Sequence, residues 1–427
     1  MYRAEGIARV KLVIFCLALL FSLFPYTQVI KLDSYTQPYA LIFAGIASIV
    51  AFPMLLRSFP RGDAMALLAL AVLGIILFLI SCMPQPTGQE FKYVLIYVSP
   101  ALFCFASYAL IVEHPKLADR LVCGAALAWI GVGVAQVVID PGFMTQLVGT
   151  FSEAAGDVVD SGRGTLGLAP EPTHFGFHMV IMAALLALIG GRNALAIACV
   201  VTAVLIARSS SALLALVLGG IIYMLVYTGK ARLLLLAVFP AYVLLGAVLA
   251  SGILPADMRV VALAREFYDD PFYLLTSDTS ANMRLGGIVV GFKEIVGNAV
   301  LPFGMAHETW LDRIGPILSR NGWLLALSEA GVPSGILIVV FQAGIFGLVP
   351  LAWMIWRMLS RPRSHFEALL VSVMVFVFFS QYMISTPGFG LIYGAVLARR
   401  RWASRLKGGR SGERTPRPAG PAAPALA

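Results

Sequence analysis

The chain has 427 residues, 59% of them hydrophobic and only 12% charged, with a net charge of +9. Soluble domains carry about 25% charged residues, and several apolar runs here approach or exceed the roughly 18 residues that cross about 30 Å of hydrocarbon. A soluble globular domain is therefore excluded. The sequence predicts an all-α integral membrane protein of about 12 transmembrane helices, with residues 1–398 forming one polytopic domain.

Arg3, Arg9 and Lys11 precede the first apolar run, 12–30. The run is long for a secretory signal and no small-x-small cleavage site follows it, so it is expected to be retained as the first membrane helix. Further spans are expected at 39–56, 64–82, 92–112, 121–140, 173–190, 193–208, 211–228, 232–251, 330–356, 366–384 and 387–398. The five cysteines, Cys16, Cys82, Cys104, Cys123 and Cys199, fall in or at the ends of these runs. They lack metal-ligand spacing and are expected to pack as small apolar side chains.

Twelve crossings put both termini on one side, and the positive-inside rule selects the cytoplasm. The inward segments then hold 21 of the 31 basic residues, including Arg57, Arg61, Arg192, Arg357, Arg361 and Arg363. Sixteen of the 22 acidic residues fall outside. Eight basic residues lie in the tail 399–427, which is rich in Pro, Ala and Gly. That composition predicts disorder beside the anionic inner leaflet. The positive balance is thus a membrane signal, and no nucleic-acid partner is expected. Few ionisable groups lie within the spans, which weighs against an ion-coupled carrier.

Two long outward segments remain, about 140–172 and 251–330. The first ends in GRGTLGLAPEPTHFG, residues 162–176. Arg163 stands among glycines, where backbone can approach a ligand closely. Pro172 suits the first turn of a helix, which puts Glu171 at the positive end of that helix. Glu171, His174 and His178 share one helical face. They read as a polar cluster lining an outward cavity, as a helix-start carboxylate with incidental histidines, or as part of a metal site. The last lacks a fourth ligand by spacing, and no metal is expected. Arg208 with Ser209 and Ser211 opens a later helix; the group either holds a phosphate or sugar or caps a tight hairpin.

In the second outward segment, 257–268 and 282–298 have apolar residues at helical spacing. Both are expected to be short amphipathic helices on the membrane surface, with their apolar stripes packed against the bundle. The stripe of the second is Leu285, Ile288, Val289, Phe292, Ile295 and Val296, with Asn282 as N-cap. Arg284 opens that helix and reads either as an anion ligand or as a solvated charge. Arg320 lies where the loop re-enters the membrane, beside Asn321, a cap for the next helix; Arg320 is a phosphate ligand or a snorkelling anchor. His307 is either a base or an isolated surface group. Trp310 and Trp323 can stack on sugars or anchor the interface.

Taken in order, these motifs resemble the bacterial O-antigen polymerase and O-antigen ligase superfamily over roughly residues 90–395. The resemblance rests on an arginine–glycine stretch leading to E-P-(S/T)-x-x-(A/G) at Glu171, Pro172, Thr173 and Gly176, and on R-S-x-S at Arg208, Ser209 and Ser211. An arginine-led helix from Arg284 leads on to Pro302, Phe303 and Gly304, and N-x-x-L-x-x-L-x-E-x-G runs from Asn321 to Gly331. Ligases of this kind carry a histidine just before that asparagine. Here the position is Arg320, which favours a polymerase.

The resemblance implies a metal-independent glycosyltransferase of the bacterial inner membrane. Its substrate would be a polyprenyl-diphosphate-linked oligosaccharide, joined at the periplasmic face into exopolysaccharide, capsule or O-antigen. It also implies work beside a flippase and a chain-length regulator. Arg284 and Arg320, then Arg163 and Arg208, are the candidates for neutralising the departing diphosphate. Glu171 is the favoured base, ahead of His174 and His307. Ser209, Ser211 and Asn321 complete the substrate-binding set. A ligase acting on lipid A core or protein, and a non-enzymatic lipid-linked oligosaccharide flippase or exporter, are the alternatives.

Overall fold

The computed structural model describes residues 2–28, 30, 36–82, 88–148, 155–160, 162–229, 240, 243–244, 246–251, 259–270, 287–305, 309–310, 312–313, 334–380 and 383–412. The described chain is all-α. Its helices are α1 (Tyr2–Leu23), α2 (Tyr39–Ser58), α3 (Arg61–Cys82), α4 (Gly88–Glu113), α5 (Pro115–Val138), α6 (Ala155–Asp160), α7 (Pro172–Ile189) and α8 (Asn193–Val201). There follow α9 (Ser210–Tyr223), α10 (Arg259–Asp269), α11 (Gly287–Gly297), α12 (Leu337–Leu359), α13 (His365–Phe379) and α14 (Pro387–Gly412). Both α8 and α9 run on into a π-helical turn, Thr202–Ile206 and Met224–Thr228.

Seven of the described helices are long and apolar enough to cross a membrane: α2, α3, α4, α5, α7, α12 and α9 with its π turn. Helices α8 with its π turn and α13 are apolar but shorter. Eleven of the twelve expected spans coincide with a described helix; the span at 232–251 falls mostly outside the described residues. The boundaries drift where polar residues extend a helix past its apolar run, as at the start of α1 and the C-terminal end of α14.

Helix α7 is the axis of the bundle. Nearly all its side chains are buried, the pattern of a helix apolar all round. It packs against α5, α8, α9, α13 and α14. Elsewhere glycines permit close helix contacts, which in lipid replace a hydrophobic driving force. Gly390 and Gly394 form a G-x-x-x-G stripe on α14 whose missing Cβ atoms would collide with Phe103 and Ser107 of α4. A Cβ on Gly74 of α3 would likewise collide with Tyr97 of α4.

The two ends of the bundle differ in charge. The ion pairs Lys11–Glu113, Asp63–Arg357, Asp119–Arg192 and Glu367–Arg399 all lie at one end. This basic end gathers the start of α1, the end of α4, the start of α13 and the last turns of α12, each of which the positive-inside argument groups together. Asp63 is its keystone. Its buried carboxylate accepts hydrogen bonds from Trp353 Nε1 at 3.1 Å, Tyr393 Oη at 2.7 Å and the Arg357 guanidinium at 2.8–3.3 Å, so α3, α12 and α14 are tied through one charge. Breaking such a pair on one side costs roughly 3–5 kcal/mol.

Helix α12 is broken. Gly344 has φ +57, and a Cβ there would stand 2.5 Å from the Val300 carbonyl oxygen. The segment 300–304 lies in the break. Phe303 N–H donates to Phe341 O at 3.2 Å, Gly304 N–H to Gln342 O at 3.1 Å, and Ile345 N–H to Val300 O at 2.8 Å. Non-helical backbone at membrane depth is tolerated only when protein satisfies it, and this segment does so. Pro302–Phe303–Gly304, which the sequence presents as the end of a loop motif, is thus the plug of a split helix.

Helices α10 and α11 form in the expected amphipathic segments, but the face assignment of α11 needs correction. Gly287, Val290, Gly291 and Ile295 are buried, whereas Val289, Phe292 and Val296 are more than half exposed. Gly291 lets α11 sit close on Leu337 of α12, and the bulky residues stay exposed beside it. The helix is apolar on two sides.

Candidate functional site

The end of the bundle opposite the ion pairs brings together the motifs around 163–176 and 206–211, which are some 30 residues apart in sequence. Pro172 occupies the first turn of α7 and Glu171 is its N-cap residue, in extended conformation with φ −144. The Glu171 carbonyl accepts the Phe175 N–H at 3.1 Å, while its side chain makes no capping bond. That residue is half-buried at the N-terminus of α7.

The loop leading to it is locked from three directions. Gln136, buried in α5, donates from Nε2 to the Gly167 carbonyl at 2.8 Å and accepts the Gly167 N–H on Oε1 at 2.7 Å. The same Nε2 also donates to Phe143 O at 2.9 Å. Thr165 N–H donates to Ile206 O at 3.2 Å. Gly164, at φ +96, packs on backbone so closely that a Cβ would meet Ala207 O at 2.5 Å. Gly164 therefore serves the chain's own packing, and it sets the Arg163 backbone against the turn that carries Arg208.

That turn is strained. The π turn ends at Ala207, whose N–H donates to Thr202 O at 2.9 Å, and Arg208 follows with φ +46. A left-handed conformation costs a non-glycine residue roughly 1–2 kcal/mol. Ser209 N–H donates to Ala203 O at 3.3 Å, and Ser209 Oγ accepts the Ala212 N–H at 3.2 Å. Ser209 is buried and acts as the N-cap of α9, one of the two roles its sequence leaves open. Ser211 is half-buried in the first turn of α9.

The two motifs touch directly. A Cβ on Gly176 would collide with Ser209 Cβ and stand 2.7 Å from Ser209 Oγ. The glycine of E-P-T-x-x-G and the first serine of R-S-x-S are thus the contact by which α7 and α9 cross. Their N-termini, and with them Glu171, His174, Arg208 and the 163–167 loop, share one face of the bundle.

Both histidines of α7 lie against Tyr26, which follows α1. The Tyr26 ring is 5.5 Å from His174 and 6.1 Å from His178, centroid to centroid. His178 is fully buried, 4.5 Å from the Trp129 ring. Its Nε2 hydrogen-bonds the Leu23 carbonyl at 2.9 Å, which also accepts Trp129 Nε1–H at 3.0 Å. That fixes the tautomer with the proton on Nε2. His174, one turn nearer the surface, is half-buried.

Arg284, His307, Arg320, Asn321 and Trp323 lie outside the described residues. Trp310 is described and is buried against Phe341, ring centroids 5.2 Å apart, so it packs in the core instead of offering a face to a sugar. Sequence reasoning alone missed Tyr26, Gln136 and Arg313. Gln136 had a signal, as a lone amide in an otherwise apolar run. Arg313, over the Phe303 ring at 5.0 Å, had none, because the plug it covers is a tertiary feature.

The chemistry available here is that of an anion site with a proton acceptor. Two guanidinium-bearing segments meet by backbone contact, and a carboxylate and an imidazole stand on the adjoining helix start. Guanidinium forks match phosphate oxygens. No family model matches the chain, and no characterised protein matches it in sequence.

Proposed function

We propose that the chain is a polysaccharide polymerase of the bacterial inner membrane. It would join polyprenyl-diphosphate-linked oligosaccharide repeats with this end of the bundle facing the periplasm and both termini in the cytoplasm. The observation that carries this is the meeting of the E-P-T-x-x-G and R-S-x-S motifs through Gly176 and Ser209, with Arg208 held left-handed beside them. Strained non-glycine residues cluster where a side chain is put to use.

In the transfer, an acceptor hydroxyl oxygen attacks the anomeric carbon of the donor while the bond from that carbon to the diphosphate oxygen breaks. The hydroxyl proton passes to a base and the electron pair leaves on the diphosphate. Arg208 and Arg163, joined by Arg284 and Arg320 from the outer loop, neutralise the growing charge. Charge-assisted hydrogen bonds contribute roughly 1.5–3 kcal/mol each, so losing one slows transfer roughly 10- to 150-fold. Glu171 is the preferred proton acceptor and His174 the second. The carrier's polyprenyl tail, at about 0.8 kcal/mol per buried CH₂, keeps the diphosphate at headgroup depth, where Arg163 and Arg208 would meet it.

The deciding experiment is the glycan profile of a deletion strain. Lipid-linked single repeats are expected. Free lipid-linked polymer would instead identify a ligase, and repeats trapped on the cytoplasmic face would identify a flippase. Complementation with Arg284→Lys or Arg320→Lys should leave single repeats despite retained charge, because lysine cannot make the bidentate contact. Normal chain length in both variants would remove these arginines from the site.

A further inference from the structure

A second feature lies away from this site, on the outer face of α12. A cavity of about 790 Å³ runs along that helix. Its floor is the stripe Leu348, Leu351, Ile355 and Leu359, spaced to keep to one helical face below the break at Gly344, with Val340 lining it from above the break. From Leu348 to Leu359 the unbroken stripe rises about 16 Å at 1.5 Å per residue, about half of the roughly 30 Å of a bilayer's hydrocarbon and so one leaflet deep. Val226 and Tyr227, in the π turn after α9, form one wall, and Phe292 and Val296 from the exposed face of α11 form its upper lip. So long and apolar a void is a poor host for ordered water, which needs two to four polar partners.

The lower end is different. The stripe ends at Ser360, Arg361 and Pro362, at the basic end of the bundle. Arg361 is exposed, has φ +58 and pairs with no carboxylate among the described residues. The groups facing it are cationic. Arg400 donates to the Arg357 and Ser360 carbonyls, Arg399 donates to the Arg361 carbonyl at 3.0 Å, and Arg363 donates to the Arg399 carbonyl at 3.4 Å. The two nearby carboxylates are already engaged, Asp63 by Arg357 and Glu367 by Arg399. Helix α14 thus caps the last carbonyls of α12 with guanidinium groups and leaves Arg361 as surplus positive charge at the mouth of an apolar groove. Trp356, exposed one turn above, marks that mouth as headgroup depth.

We propose that this groove binds an anionic glycerophospholipid, its phosphate on Arg361 and its acyl chains along the α12 stripe. An apolar channel about one leaflet deep, ending at an exposed cation that pairs with no carboxylate among the described residues, is complementary to such a molecule. A zwitterionic lipid carries its own cation beside the phosphate and gains less from Arg361. This site stands independently of the polymerase assignment, because it uses none of the same residues.

The test uses the full chain purified in dodecylmaltoside, titrated with phosphatidylglycerol, phosphatidylcholine or inorganic phosphate. It is followed by thermal unfolding and by bound lipid in native mass spectrometry. Phosphatidylglycerol should stabilise the protein and remain bound, with an apparent Kd at least tenfold below that of phosphatidylcholine. Arg361→Asn, chosen because asparagine tolerates the left-handed region, should weaken phosphatidylglycerol at least tenfold and leave phosphatidylcholine unchanged. Leu351→Trp, which fills the groove, should weaken both. Equal response to the two lipids, or an unchanged response in Arg361→Asn, overturns the proposal. Inorganic phosphate matching phosphatidylglycerol would assign Arg361 to a soluble anion, and a dimer split by Leu351→Trp would give the groove to a second copy; each also overturns it.

Discussion

Replacing Arg208 should separate what the fold needs from what the chemistry needs. At φ +46 the residue stores roughly 1–2 kcal/mol of backbone strain. Alanine keeps that strain and removes the guanidinium. Glycine removes both, and gives back about 0.5–1 kcal/mol through the extra freedom of its unfolded chain. Arg208→Gly should therefore be more stable than Arg208→Ala by about 0.5–1 kcal/mol, and no less stable than the parent by backbone terms alone. If the guanidinium holds the departing diphosphate, both variants lose transfer together, by at least roughly tenfold for one charge-assisted contact. The assay pairs thermal unfolding of the purified variants with glycan chain length in a complemented deletion strain. Full chain length in Arg208→Gly would refute the role given to this side chain. Arg208→Gly unfolding at or below Arg208→Ala would refute the strain.

Three further outcomes follow from the packing. Gln136→Leu leaves the Gly167 N–H and carbonyl without their partners, each worth about 1–3 kcal/mol when buried; the variant should melt earlier and be cut by protease within 162–171, and an unchanged digest would count against the lock. Gly176→Ala should destabilise by about 1–3 kcal/mol through overpacking against Ser209, and adding Ser209→Gly, which costs a cap only a few tenths of a kcal/mol, should recover part of it; additive losses would show that the two residues do not meet. Asp63→Leu should cost about 3–5 kcal/mol by stranding Arg357, while Asp63→Leu with Arg357→Leu should cost less than the single change, as a denaturation cycle can measure.

Much of this architecture was legible in the chain because lipid demands long apolar runs and because loop charge sorts the helix ends. Pro172 after Glu171 marked the start of α7 correctly by a local rule, the tolerance of a first turn for a missing N–H. What was not legible is tertiary. Gly344 sits in an unremarkable apolar run, and only the distant 300–304 segment makes it a break. The Gly390–Gly394 stripe is a close-packing signal that one sequence cannot distinguish from ordinary small residues without the partner helix. The stripe on α11 was misassigned because its burial is decided by two glycines that carry no hydrophobic weight. At the candidate site, residue types were readable but not their division of labour. Gly164 and Ser209 turned out to hold backbone, and the coming together of Arg163 and Arg208 required the fold.

The split in α12 also constrains how the molecule can be made. Its unpaired carbonyls at Phe341 and Gln342 find donors only in Phe303 and Gly304, which are synthesised first and must wait for their acceptors. A nascent α12 therefore has reason to enter the bilayer as one continuous helix and to crack open only when the preceding loop docks. Once docked, loop and upper half-helix share a single ladder of hydrogen bonds, so neither can swing without carrying the other.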